Sequence, residues 1–232
     1  MIATIVNALA VLLGSFLGLL FKRRLSERYE ETVYTATGII SIVIGVGMAL
    51  KATHTLAFAL ALILGGLSGS LLDVEGWVLR LGESLKRRFA KRDTGATFAS
   101  GFLDASILFC AGAMAIVGSF KAGTEGDYGL IFTKSVMDGC VAVLLAAALG
   151  SGVAFSALTV LVYQGALTLL SVWVKPFVSE LMLAELTGTG GALVIMIGIN
   201  LLGIKKLKTA NFLPTLVFTV LFVLAMPSLP LL

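Results

Sequence analysis

Two ionisable residues lie one helical turn apart within an otherwise apolar stretch of this chain. Lys134 and Asp138 are four residues apart, which on a helix places their side chains next to each other. Because an ionisable group within a membrane is expensive to bury, such a residue is a functional candidate by default. We predict either a structural Lys134–Asp138 ion pair or, at Asp138, a binding site for a coupling proton or Na⁺. Asp104 is a second ion-coupling candidate, with simple exposure to cytoplasmic water as the alternative.

Two polar, glycine-marked segments in opposite halves of the chain resemble each other. If each segment begins a helix, its free backbone N–H groups and partial positive charge suit an anionic or carboxylate-bearing solute. Threonine hydroxyls add neutral donors and acceptors, and glycine permits close approach of the backbone. We predict substrate-binding residues here; the alternative is ordinary helix caps and packing contacts. The predicted residues are Thr35, Thr37, Gly38, Thr187, Thr189, Gly190 and Gly191.

Three carboxamides are further candidates for binding a solute. Asn7, Gln164 and Asn200 each lie within an apolar segment. Each can hydrogen-bond a solute or hold two helices together, and both alternatives stay open. Glu185 precedes Thr187 by two residues and is predicted to cap the start of its helix.

The composition indicates the environment in which these residues lie. Of the 232 residues, 58% are hydrophobic and 13% are charged, and the mean hydropathy is +1.04. Soluble domains carry about 25% charged residues, so the composition predicts an integral membrane protein. The 26 glycines suit closely packed helices in lipid. Cys110, Cys140 and the single His54 form no metal-binding pattern, and no cofactor is expected.

The apolar segments predict an all-α fold of about eight transmembrane helices. A helix needs roughly 20 apolar residues to cross the hydrocarbon core. The segments are 2–21, 34–51, 54–72, 101–120, 132–150, 152–173, 187–204 and 210–229. Gly150-Ser151-Gly152 provides a turn between the fifth and sixth, which could otherwise form one long helix. With eight spans and both termini outside, most of the 17 Lys and Arg residues lie inside, as the positive-inside rule requires.

Four regions follow from this division. Residues 1–72 form a first three-span unit, residues 101–150 two inserted spans, and residues 151–232 a second three-span unit. In residues 73–100, Trp77, Leu81, Leu85 and Phe89 recur at helical spacing among basic residues. This pattern is typical of an amphipathic helix on the cytoplasmic membrane surface. Such basic flanks account for much of the net charge of +4 without a nucleic-acid partner.

The two three-span units are predicted to be inverted copies of each other. Their alignment pairs Gly14 with Gly165, Gly38 with Gly191, and Gly45 with Gly198. Paired spans lie five apart, which is an odd number, so the copies would cross the membrane in opposite directions. Inverted repeats of this kind build many secondary transporters.

Several stretches carry a resemblance to a known family. They are Thr4-Ile5-Val6-Asn7, residues 109–118, Tyr163-Gln164-Gly165 and residues 197–205. Through them the chain resembles, over nearly its whole length, the domain-of-unknown-function 554 family of prokaryotic membrane proteins. The resemblance implies a multi-pass protein of the prokaryotic plasma (inner) membrane. It supplies neither a substrate nor a catalytic residue.

We predict a secondary transporter for a small polar, anionic solute that works by alternating access, in an elevator or rocking motion. The alternatives are an ion or small-solute channel with a fixed pore and a non-transporting membrane scaffold. The sequence holds none of the common hydrolase, nucleotide-binding or metalloprotease motifs, so an enzyme is not expected. The predicted partners are the solute, membrane lipid and a second copy of the chain. Gly14 and Gly18 form a small-xxx-small pair suited to that homodimer interface.

Overall fold

The computed structural model describes residues 1–22, 27–77, 80, 95–110, 113–174, 176 and 178–225, and within them the regular elements are helices, as predicted. The helices are α1 (Ile2–Lys22), α2 (Glu27–Ala49), α3 (Thr55–Leu71), α4 (Gly95–Cys110), α5 (Ala113–Thr124), α6 (Gly129–Leu149), α7 (Gly152–Leu169), α8 (Ser171–Val174), α9 (Glu180–Leu201), a 3₁₀ helix (Thr209–Phe212) and α10 (Pro214–Ala225).

Four helices are long and apolar enough to cross a membrane, namely α1, α6, α7 and α9. The predicted fourth span is a bent pair, since the axes of α4 and α5 differ by 60°, and the pair meets the same criterion when it is taken as one span. At the remaining predicted spans the apolar helical stretches are shorter, namely Tyr34–Ala49 within α2, Thr55–Leu71 in α3, and Thr209–Ala225 across the 3₁₀ helix and α10. Length and composition thus identify four or five spans in the described part of the chain.

The predicted turn between the fifth and sixth segments is confirmed. α6 ends at Leu149 and α7 begins at Gly152. Gly150 has a φ of 84°, in the left-handed region that glycine enters without steric cost. A short glycine turn therefore divides an apolar stretch that composition alone would allow to continue as one helix.

α2 and α9 pack against each other through glycines. A Cβ atom added to Gly45 would lie 2.8 Å from the Gly191 carbonyl oxygen, and one added to Gly191 would lie 2.6 Å from that of Gly45. Gly38 and Gly198 are related in the same way, at 3.1 and 2.8 Å. The residue numbers rise along one helix as they fall along the other, so the two helices are antiparallel. Small residues allow the backbones this close approach.

α1 packs on α6 in a similar manner, and this contact corrects the predicted dimer interface. Cβ atoms added to Gly14 and Gly18 would collide with the carbonyl oxygens of Gly139 and Val143. The small-xxx-small pair is therefore occupied within the chain, because α6 covers it. The opposite side of α1 is apolar and exposed instead, with Leu13 at 65% and Phe16 at 59% exposure.

The prediction that the Thr-Gly segments begin helices is wrong. α2 begins at Glu27 and α9 at Glu180, several residues before Thr35 and Thr187. Ser179 caps α9, since its side chain accepts a hydrogen bond from the Met182 N–H at 3.1 Å. A capped start with an acidic first turn lets α9 begin early, and no proline or turn residue interrupts it before the threonines.

Two further predictions concern Glu185 and the amphipathic helix after α3. Glu185 does not cap its own helix; it accepts hydrogen bonds from the Thr53 and His54 N–H groups, at 2.8 and 2.9 Å, in the α2–α3 loop. Most of the predicted amphipathic helix, namely residues 78–79 and 81–94, lies outside the described residues. The Arg80 guanidinium lies 5.1 Å from the centre of the Trp77 ring.

Candidate functional site

Polar side chains from α1, α6 and α7 meet inside the apolar helix assembly. The residues of this polar cluster are Asn7, Lys134, Asp138 and Gln164. All are buried, with exposures of 0, 6, 8 and 1% respectively. On α1 the buried positions recur at helical spacing, and Thr4, Asn7 and Val11 fall on the face that packs inward. The helical period therefore directs Asn7 to the core, although Ile5 and Val6 just before it are exposed.

The cluster is a chain of hydrogen bonds that runs from Lys134 through the Asp138 carboxylate and Asn7 to Gln164. Lys134 Nζ and Asn7 Nδ2 both donate to Asp138 Oδ2, the amide at 3.1 Å. The same Asn7 nitrogen donates to Gln164 Oε1 at 2.8 Å. The predicted i, i+4 pairing of Lys134 and Asp138 is thus confirmed as a geometric fact. The opposite charges compensate each other where water is scarce.

The carboxylate fixes the orientation of both amides. A carboxylate oxygen only accepts, so Asn7 must direct its NH₂ group toward Asp138, and Gln164 must then direct its oxygen toward Asn7. Within the described chain, Asn7 Oδ1 and Gln164 Nε2 have no hydrogen-bond partner. One acceptor and one donor are left unpaired in a buried site, where an unpaired polar atom is destabilising.

The end of α4 lies beside the cluster. Lys134 Nζ is 5.9 Å from the centre of the Phe109 ring, one residue before α4 ends at Cys110. α5 begins at Ala113 with its axis turned by 60°. The last carbonyls of a helix and the first N–H groups of the next have no partner within their own helix. The contact between Phe109 and Lys134 therefore places the C-terminal end of α4 next to the ion pair.

Thr4 and Thr168 extend the polar contact between α1 and α7. Their hydroxyl oxygens are 3.5 Å apart, and Thr168 also donates to the Gln164 carbonyl oxygen at 2.8 Å. Thr4, Thr168 and the α4–α5 bend are not among the predicted site features, and Lys134 is predicted only as the partner of Asp138. The helical spacing of Thr4 with Asn7, and of Gln164 with Thr168, is the signal that could have found the threonines.

A cavity of about 520 Å³ lies away from the polar cluster, between α4 and the segment that follows α9. We call it the vestibule; its lining includes Tyr34, Glu75, Asp104, Asn200, Lys206 and Lys208. Asp104 is 5% exposed and lines the vestibule, and both of its predicted roles, ion coupling and contact with cytoplasmic water, stay predictions. The Asn200 amide is occupied, because it donates to the Leu207 carbonyl oxygen at 3.0 Å and accepts from the Leu207 N–H at 2.7 Å.

Glu75 joins two segments at the edge of the vestibule. Its carboxylate accepts a hydrogen bond from the Ala210 N–H at 3.0 Å, and its own N–H donates to Asn211 Oδ1 at 2.8 Å. Burial raises the pKa of the Glu75 carboxyl above its ordinary value, although the Ala210 N–H and Lys208 oppose the shift. The contact fixes the residues that follow α3 against the 3₁₀ helix.

The remaining predicted site residues lie apart from the cluster. Thr187 donates to the Leu183 carbonyl oxygen at 2.6 Å and Thr189 to that of Glu185 at 2.9 Å, so both hydroxyls bond within α9. Gly38 and Gly191 serve the contact between α2 and α9, and Gly190 is buried in α9. Thr35 is exposed and Thr37 buried. The structure thus brings together Asn7, Gln164 and Asp138 and separates them from the Thr-Gly segments.

Three of the four stretches that carry the family resemblance converge on the polar cluster. They contain Asn7, Phe109 and Gln164, respectively. In the described chain, no three His, Cys, Asp or Glu residues are grouped so that they could hold a metal ion. The site therefore offers one charge of each sign, two amides and, at Phe109, the C-terminal end of α4.

Comparison with known proteins gives a family match and two full-length relatives. A family model described as protein of unknown function (DUF554) matches residues 2–224. The chain is 31% identical over 230 residues to the uncharacterized membrane protein YdfK of Bacillus subtilis (strain 168), covering 97% of each chain. It is also 31% identical to the uncharacterized protein YqgA of Escherichia coli (strain K12), covering 97% of this chain and 95% of that one. No solved structure gives a significant match.

Proposed function

Since this chain belongs to the DUF554 family, we propose from its polar cluster that it is a secondary transporter for a small polar solute that carries an anionic group such as a carboxylate. The observation that supports this most is the buried, electrically balanced Lys134–Asp138 pair beside a bent helix pair. Transporters commonly bind solute and coupling ion near the midplane, at discontinuous helices between repeated units.

The packing of α2 and α9 supports an inverted repeat. In the sequence alignment Gly38 corresponds to Gly191 and Gly45 to Gly198. In the structure each glycine contacts the counterpart of the other, so that Gly38 meets Gly198 and Gly45 meets Gly191. A twofold axis between two related units produces such reciprocal contacts. We propose that the chain crosses the membrane eight times and that exchange of conformation between the units opens the cluster to each side in turn.

Two candidate ion sites fit this scheme. Asp138 would bind the coupling proton or Na⁺, because its carboxylate lies within the proposed solute site and is paired with Lys134. Asp104 would face ions that enter the vestibule. Lys22, Lys206 and Lys208 lie at the helix ends on that side, so we assign the vestibule to the cytoplasm by the positive-inside rule.

Concentrative uptake into proteoliposomes tests the proposal. The purified chain is reconstituted, small carboxylates and amino acids are offered outside, and inward H⁺ or Na⁺ gradients are imposed in turn. Asp138→Asn should abolish gradient-driven accumulation, because an amide cannot release a proton or supply an anionic ligand. Asp127→Asn is the matched control, since Asp127 is an exposed loop residue paired with Lys121 at 3.6 Å.

The same measurement separates a transporter from a channel. A channel would equilibrate solute but never accumulate it against its gradient, and Asp138→Asn would alter its preference among solutes instead of its coupling. Equilibration without accumulation in the wild-type protein, under both gradients, would contradict the proposed mechanism.

A further inference from the structure

The hydrogen-bonding groups of the polar cluster narrow the chemical class of its solute further than a preference for negative charge does. Its two unpaired atoms differ in kind, since Asn7 Oδ1 requires a donor and Gln164 Nε2 requires an acceptor. They belong to amides that are joined by one hydrogen bond of 2.8 Å, so one small molecule can reach both. A simple carboxylate has acceptors only and would leave the Asn7 oxygen unpaired.

The charges in the cluster lead to the same conclusion. Lys134 and Asp138 sum to zero, and both are at least nine-tenths buried. A net anion brought into this site would add an uncompensated charge where the medium screens it poorly. A solute that is itself neutral overall but carries one charge of each sign adds no such charge. Its positive group can face Asp138 and Asn7 Oδ1, and its negative group Lys134 and Gln164 Nε2.

We propose that the solute of the polar cluster is a small α-amino acid bound as the zwitterion. In this arrangement the ammonium group donates to Asn7 Oδ1 and Asp138, and the carboxylate accepts from Gln164 Nε2 and Lys134. Asn7 and Gln164 are the specificity-determining residues, because their free atoms require a donor and an acceptor on the same ligand. This inference rests on the transport function proposed above and narrows its solute class.

Access to the site requires a conformational change. Asn7 and Gln164 have exposures of 0 and 1%, so the described conformation is closed around the cluster. The Phe109 ring at the end of α4 lies 5.9 Å from Lys134 Nζ, so a solute that approaches the ion pair from that side has to displace the ring. The close packing of α1, α6 and α7 around the cluster favours a solute with a small side chain.

Three matched compounds test the class directly on the wild-type protein. Alanine carries both charged groups, propionate lacks the ammonium group, and ethylamine lacks the carboxylate. The thermal unfolding midpoint of the detergent-purified full chain is measured against each, because a ligand that binds only the folded state raises that midpoint. We expect alanine to raise it and propionate and ethylamine to leave it unchanged at equal concentration. Uptake of the same compounds is then measured in proteoliposomes.

Near-isosteric variants locate the binding. Asn7→Leu and Gln164→Met remove the acceptor and the donor at similar volume, and each should weaken alanine binding about tenfold through loss of a buried hydrogen bond. Ser135→Ala is the control: Ser135 is buried on α6 next to Lys134, but its hydroxyl donates to the Ile131 carbonyl oxygen within the helix. The affinity of the Ser135→Ala variant for alanine should be unchanged.

The outcomes separate this inference from the transport proposal. Equal shifts of the unfolding midpoint with alanine and propionate, or accumulation of carboxylates without amino acids, would contradict the proposal of a zwitterionic solute. Neither result would contradict the proposed transport function. If none of the three compounds shifts the midpoint while a solute that is not an amino acid is accumulated, the proposed solute class is also wrong, and a buried water is the molecule that pairs the two atoms. Wild-type protein that accumulates no solute at all contradicts the function proposed above.

Discussion

At the scale of single residues, Lys134 and Asp138 stabilise each other, because each neutralises the buried charge of the other. Removal of one member leaves the other charged and buried without its partner. Lys134→Met should therefore destabilise the protein by about 3–5 kcal/mol, as for other broken buried pairs. The double variant Lys134→Met, Asp138→Leu should recover most of that loss. Chemical unfolding in detergent measures both.

The double variant also distinguishes stability from function. It removes both charges from the polar cluster, so it should fold and yet accumulate no solute in proteoliposomes. A double variant that is as unstable as Lys134→Met alone would show that the pair is needed for packing, not only for charge compensation. Retained accumulation would show that the pair has no part in transport.

Glu75 gives a prediction about pH at the same scale. Its pKa is raised in the folded protein, so between the ordinary value of 4.5 and the raised value the folded state binds more protons than the unfolded state. In that window stability falls as pH rises, which is the sign expected when the folded state holds the extra proton. Glu75→Gln keeps an acceptor for the Ala210 N–H and should lack this part of the pH dependence.

Unfolding midpoints of the wild type and Glu75→Gln, measured at a series of pH values above 4.5, test this directly. The difference between them should change steadily in favour of the variant as pH rises through the window and then level off. Parallel curves would show that the folded and unfolded proteins hold the Glu75 proton equally well.

At the scale of elements, two glycines of α2 provide a matched pair. A Cβ atom at Gly45 would lie 2.8 Å from the Gly191 carbonyl oxygen, whereas one at Gly47 would meet no atom within 4 Å. Gly45→Ala should separate α2 from α9 and destabilise the protein by about 1–3 kcal/mol, the range for overpacking. Gly47→Ala should be neutral or stabilise by up to about 1 kcal/mol, because alanine is the better helix former.

Unfolding of the two variants in the same detergent makes the comparison. Since both changes add one methyl group to the same helix, a difference between them reports the α2–α9 contact and not the general effect of alanine. Equal stability of the two variants would mean that the helices can separate at little cost, and would remove the support that this contact gives to the repeat.

At the scale of the whole molecule, topology is the property to measure. If the chain crosses eight times with both termini outside, Lys51 and Lys121 lie outside and Lys206 inside. Single cysteines at these positions, in a chain with Cys110 and Cys140 replaced, should react accordingly with an impermeant thiol reagent added to intact cells. Cysteines at 51 and 121 should be labelled and one at 206 protected until the cells are opened.

A different labelling pattern would indicate a different transmembrane topology. If α2 and α3 do not cross the membrane, a cysteine at 51 would lie on the same side as one at 22. That result would contradict the eight-span arrangement and the inverted repeat together, because the second span would have lost its counterpart in α9.

The sequence by itself determined the helical class, the membrane environment and the position of most helices. These follow from properties that are local along the chain: the length of an apolar run, a glycine turn at Gly150, and the i, i+4 spacing of Lys134 and Asp138. It also identified Asn7, Gln164 and Asp138 as candidates, because polar residues are conspicuous in apolar segments.

Only the tertiary structure decided which candidates meet. Asn7 and Gln164 are separated by 157 positions along the chain, and their contact depends on how α1, α6 and α7 pack. The Thr-Gly segment of α9 looked equally promising, but its helix starts early, and the Thr187 and Thr189 hydroxyls donate to carbonyl oxygens of that same helix. Gly14 and Gly18 could suit a second chain as well as α6, and α6 covers them. Spacing reveals which residues share a face, whereas packing determines what that face contacts.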